Sequence, residues 1–85
     1  MPYIKAKDRP KLDYHIDGLG SVISNEGDLN YAVTRLCKIY VNTKGEKYST
    51  YNTLVGALEC IKLELYRKQI SIYEEKKENE NGSIK

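Results

Sequence analysis

Tyrosine, arginine and lysine side chains are the groups in this sequence that best suit binding chemistry. In the segment GDLNYAVTRL, residues 27–36, Tyr31 and Arg35 are four residues apart, so on a helix the guanidinium can lie over the ring. Aromatic planes beside cations suit a flat, phosphate-bearing ligand. We predict ligand-binding residues of this kind on the second and third helices: Asn30, Tyr31, Thr34, Arg35, Lys62, Tyr66 and Arg67. The same residues also suit a polar helix interface.

The sequence lacks the residue spacing that a metal site or a nucleophilic cysteine site requires. His15 is the only histidine, and neither Cys37 nor Cys60 belongs to a close cysteine or histidine pair, so the usual zinc spacings are not met. Cys37 and His15 could form a thiol dyad in space, but buried structural thiols are the more common use of such cysteines. We predict no metal site.

General acid–base catalysis and phosphate loops are equally unsupported. Glu59 and Glu64 lie on one predicted helix at a spacing that does not aim both carboxylates at one point, and salt-bridged surface explains them. Gly18-Leu19-Gly20 lacks the preceding strand and the following lysine and serine of a nucleotide loop. We therefore expect a protein that is not an enzyme and holds no cofactor.

Length and charge limit the class of protein further. The sequence has 85 residues, enough for one domain, and its net charge of +2 comes from interleaved acidic and basic residues. This balance gives no support for a nucleic-acid or membrane partner. No apolar run approaches the roughly 20 residues that span a bilayer, and no signal peptide is recognisable, so we expect a cytoplasmic protein.

Apolar spacing predicts an all-α fold of three helices with a long C-terminal helix. Leucines and isoleucines recur at helical spacing from residue 12 to 23, from 29 to 40, and from about 49 to Tyr73, with Asp28 as the cap of the second helix. We expect an N-terminal segment over 1–8, a single helical domain over 9–73 and a charged, frayed tail over 74–85.

The third predicted helix is apolar on two sides. If each residue advances about 100°, one stripe faces the domain core, with these members: Leu54, Leu58, Ile61, Leu65 and Ile72. The opposite side carries a second set, which we predict to be an oligomer interface: Gly56, Cys60, Leu63 and Ile70. The partner would be a second copy of the chain, as a homodimer or a higher oligomer. Alternatively, the first helix or the N-terminal segment covers this side within one subunit.

Four segments together carry a resemblance to a known group: MPYI, GDLNYAVTRL, VGALECIKLELYRK and YEEKKENENG. The chain resembles a family of short uncharacterised bacterial and phage proteins over nearly its whole length. The resemblance implies no activity. Relatives often carry proline just before the position of Tyr73, where this chain has Ile72, so its third helix is expected to continue where theirs break.

The phage connection adds an expectation by analogy. Small helical oligomers from phages include proteins that sequester host immune nucleotides between subunits through aromatic and basic side chains. We therefore predict a non-enzymatic accessory protein that oligomerises and binds a small anionic ligand such as a nucleotide. The first alternative is an interaction module or inhibitor that docks on a host protein. Nucleic-acid binding ranks third, because no predicted helix is basic along one side.

Overall fold

The computed structural model describes residues 4–84, most of which are helical and none of which forms a strand. Of these, residues 4–46 form one compact unit and residues 47–84 form a second. In chain order the elements are a short 3-10 helix Ala6–Asp8, α1 Pro10–Gly20, α2 Glu26–Lys44, α3 Tyr48–Leu65, a π-helical segment Tyr66–Ile70 and α4 Ser71–Asn81. The prediction of an all-α fold with a long C-terminal helix is confirmed.

The start of α2 is fixed by side chains on both sides of its first turn. The Asn25 side-chain oxygen accepts a hydrogen bond from the Asp28 backbone N–H at 2.8 Å, which satisfies one of the unpaired amides at a helix start. The Asp28 carboxylate reaches back to the backbone N–H and the hydroxyl of Ser24, each at 3.1 Å. The prediction that Asp28 caps this helix was wrong, because Asn25 occupies the cap position and Asp28 lies inside the first turn.

Glycine ends both long helices. Gly45 follows α2 with φ of 96°, and Gly82 follows α4 with φ of 91°. This backbone conformation is strained for residues with a Cβ atom, so glycine is the favoured residue at both ends. Each glycine amide donates to a helix carbonyl four residues earlier, Val41 and Glu78 respectively.

In the first unit, the apolar face of α2 remains exposed to solvent. Within residues 4–46, α1 and α2 do not lie side by side, so α1 does not cover this face. Leu36 is 56% exposed and Leu29 is 53% exposed, whereas Val41 is buried. A helix gains most of its stability by burying its apolar face, so this one lacks the contacts that its sequence calls for.

The second unit is one continuous helix over residues 48–81. The helix runs through Ile72 and beyond Tyr73, and residues 74–81, which the sequence analysis assigns to a frayed tail, are helical. The predicted domain boundaries and the fraying of the tail stay predictions. Most of the predicted core stripe is exposed, with Ile61 at 62%, although Leu54 is half-buried and Thr50 is buried.

The π-helical segment changes the register of this helix. The Ser71 backbone N–H donates to the Tyr66 carbonyl, five residues back instead of four. A turn with one extra residue offsets every later side chain by about 100°, the advance of one residue. The prediction that Ile72 continues the line of Leu65 was therefore wrong, because it assumed a straight α-helix.

Among residues 4–84, no helix combines the length and the apolar composition that crossing a membrane requires.

Candidate functional site

The predicted binding residues of α2 form an exposed polar surface. Asn30, Tyr31, Thr34 and Arg35 are all exposed, and the Tyr31 side chain is 67% accessible. The Arg35 guanidinium does not lie over the Tyr31 ring; in the described part of the chain, the cation that lies over an aromatic ring is Lys77, 5.6 Å from the centre of Tyr73. Arg35 is thus left available to an external anion.

The predicted binding residues of the C-terminal helix are held by neighbouring carboxylates. Lys62 pairs with Glu59 at 3.1 Å, and Arg67 pairs with Glu64 at 3.8 Å. Both pairs lie three residues apart on the helix and are accessible to solvent, so each contributes little to stability. A phosphate that approached either cation would have to compete with the carboxylate already beside it.

Tyr66 is held by a hydrogen bond that depends on the π-helical segment. Its hydroxyl donates to the Glu74 carboxylate at 2.9 Å, across eight residues. On a straight α-helix eight residues advance about 800°, which leaves the two side chains about 80° apart; the extra residue in the π turn removes this offset. The hydrogen bond and the negative charge of Glu74 raise the pKa of Tyr66, because both favour the protonated phenol.

The second unit also carries an open groove along its helix. Two rows that step four residues at a time line it, Leu65, Gln69 and Tyr73 in one and Lys68, Ile72 and Lys76 in the other, together with Ile70 from the predicted oligomer interface. The sequence analysis missed this groove, because Lys68, Gln69 and Lys76 interrupt the apolar positions of this helix face. Residues 65–77 hold two tyrosines and four basic residues, and this basic share, about twice that of the whole chain, is the signal that could have drawn attention to the groove.

The predicted oligomer interface remains uncovered. Leu63 is 47% exposed and Ile70 is 37% exposed, while Cys60 is half-buried. A Cβ atom added at Gly56 would meet nothing within 4 Å, so this side of α3 is open to the close approach of another helix. The assignment of these residues to an interface stays a prediction.

The candidate metal ligands and nucleophiles named in the sequence analysis lie apart from one another in kind and setting. Cys37 and Cys60 are free and half-buried. His15 stands edge-on to the neighbouring Tyr14 ring, with 5.2 Å between ring centres. Within residues 4–84, no three histidine, cysteine, aspartate or glutamate side chains come close enough together to hold a metal ion.

Comparison with known proteins identifies a family. Residues 1–84 match the sequence pattern of a domain of unknown function, DUF6899. No curated protein and no solved structure matches the chain. The match covers almost the whole sequence, in agreement with the resemblance to an uncharacterised family.

Proposed function

We propose that this chain, which belongs to the DUF6899 family, is a non-enzymatic binding protein that acts as a helical homo-oligomer. One observation carries the proposal: most of the large apolar side chains on α2 and α3 that would form a core are exposed instead. Burying one such side chain contributes about 1.5–3 kcal/mol, so covering these faces is strongly favourable. A second copy of the chain supplies matching apolar faces for this purpose.

Native mass spectrometry of the purified protein tests the proposal. We expect an assembly whose mass is a multiple of the 9.8 kDa chain. Leu36→Glu, which places a charge on the exposed apolar stripe of α2, should shift the population toward monomer. Lys38→Glu, which adds the same side chain on the opposite side of the helix, should leave the assembly intact. A wild-type protein that is monomeric at micromolar concentration would contradict the proposal.

A small anionic ligand, such as a nucleotide, is a second candidate and the sharper form of the proposed function. The observation that favours it is the α2 surface, where the exposed Arg35 is one helical turn from the exposed Tyr31 and has no ion-pair partner among residues 4–84. In this hypothesis Arg35 binds a phosphate, Tyr31 stacks on a base, and Asn30 and Thr34 donate hydrogen bonds. For a phage-encoded chain, sequestration of an immune nucleotide signal would follow.

Titration with a panel of mono-, di- and cyclic nucleotides tests this candidate. For any nucleotide that binds, Arg35→Ala should weaken the affinity by about tenfold or more, because hydrogen bonds to charged groups contribute about 1.5–3 kcal/mol. Lys44→Ala, at the end of the same helix, is the control for a general loss of positive charge. Unchanged nucleotide affinity in Arg35→Ala would contradict the assignment of the α2 surface as the nucleotide site. Docking on a host protein would then be the favoured function.

A further inference from the structure

The groove of the C-terminal helix has a shape suited to another helix. Its two walls, Leu65-Gln69-Tyr73 and Lys68-Ile72-Lys76, each step four residues at a time. Rows of this kind are the ridges that bound the grooves into which a second helix packs its own row of side chains. The walls present Leu65, Ile72 and the Tyr73 ring as apolar contact surface. An amphipathic helix is therefore the occupant that this shape accepts.

The charges along the groove favour an occupant that carries negative charge. Lys68 and Lys76 stand on the same wall, and in residues 4–84 neither ammonium group has an ion-pair partner. No carboxylate lines the groove. A helix that placed carboxylates beside both lysines would gain two ion pairs, whereas a basic helix would meet two uncompensated like charges.

The same charges argue against a second copy and against a membrane. A copy that docked through the identical groove would bring Lys68 and Lys76 toward the same lysines. Residues 66–81 contain four basic and four acidic residues, so the segment as a whole has no net positive charge to attract anionic lipid. An acidic protein helix meets no like charge in the groove, and it needs only the two local lysines and no net positive charge over the whole segment.

The geometry points to an acidic amphipathic helix of a partner protein as the ligand of this groove. The lysines are eight residues apart, about 12 Å along the axis at 1.5 Å per residue. The partner helix would carry carboxylates seven or eight residues apart, beside a row of leucine or isoleucine at four-residue steps. This assignment rests on the proposed binding function and names a partner class for it.

A pair of synthetic peptides tests the assignment on the full-length protein. Both are 18-residue helix formers with the same leucine row; one carries glutamates beside the row and its twin carries lysines. We expect the acidic peptide to shift the backbone amide signals of residues 65–76 in a nitrogen-15 NMR spectrum and to bind about tenfold more tightly than the twin. Equal binding of the two peptides, or shifts confined to other residues, would overturn the assignment.

Charge-reversal variants locate the effect. In the double variant Lys68→Glu, Lys76→Glu, the affinity for the acidic peptide should fall by about tenfold and the affinity for the basic peptide should rise. Lys7→Glu with Lys11→Glu, which changes the net charge equally in the first unit, should do neither. If amide signals of residues 65–76 shift with protein concentration alone, the occupant is a second copy; if vesicles with phosphatidylserine shift them equally, it is a lipid surface. Either result would overturn the assignment.

The groove measurement is independent of the assembly measurement. A monomeric mass in the native spectrum, together with selective binding of the acidic peptide, would contradict self-association and leave the groove assignment intact. An oligomeric mass, together with no change in the amide signals of residues 65–76 on addition of either peptide, would support self-association and contradict the groove assignment.

Discussion

At the scale of single residues, Tyr66 shows how a predicted ligand group can be engaged within its own helix. The sequence places Tyr66 beside Arg67 and suggests a stacking surface, but the structure gives its hydroxyl to Glu74 and the neighbouring guanidinium to Glu64. For the four predicted binding residues of α2, no side-chain hydrogen bond or ion pair of this kind occurs within residues 4–84. The binding prediction is therefore better supported on α2 than on the C-terminal helix.

Replacing Glu74 should lower the pKa of Tyr66. Glu74→Gln removes the negative charge that favours the protonated phenol, so the Tyr66 pKa should fall toward its ordinary value near 10.0. Titration of the ring carbon signals by NMR measures this, with Glu75→Gln as the control. An unchanged Tyr66 titration in Glu74→Gln would show that the hydrogen bond does not form in solution.

The same shift gives a pH dependence of stability. Because the pKa of Tyr66 is higher in the folded chain than in the unfolded one, the folded state holds this proton more tightly. The resulting stabilisation is complete below the unfolded pKa and is lost as the pH rises through the folded pKa, in the alkaline range. Glu74→Gln should reduce that alkaline loss.

At the scale of elements, helix type and order follow from apolar spacing, whereas caps and register do not. The three apolar stripes predicted the helices correctly, since spacing at three and four residues marks a helix face. The predicted cap was Asp28 and the observed cap is Asn25. Both residue types suit a cap position, and the backbone conformation decides which of them occupies it. The π turn leaves no comparable mark in residues 66–70, so the register shift could not be found from periodicity.

Removing the Asn25 cap should destabilise α2. Asn25→Ala leaves the Asp28 amide without its acceptor, and we expect a loss of about 1 kcal/mol in the free energy of unfolding. Urea denaturation followed by circular dichroism at fixed protein concentration measures it. Asn42→Ala, an exposed asparagine inside the same helix, should cost nothing, because alanine is the better helix former there. Equal losses in the two variants would argue against the cap.

At the scale of the whole molecule, the sequence predicts more apolar contact than either described unit makes within itself. Leu58 and Leu65 were expected in a domain core, and both are exposed, at 37% and 46%. A helical wheel identifies which face needs a partner but carries no information about where that partner comes from. This limit explains why the helices could be predicted while the burial of their faces could not.

The π-helical segment has a further consequence for how such a chain can diversify. The segment holds one residue more than a regular α-helical turn, so deleting one residue among 67–70 would restore an unbroken α-helix while α4 kept its direction relative to α3. Tyr66 and Glu74 would then be seven residues apart and would still lie on one side of the helix. A change of one residue in length at this position therefore leaves the surfaces of both helices in place, and a sequence comparison of relatives that ignores gaps there would align faces that point in different directions.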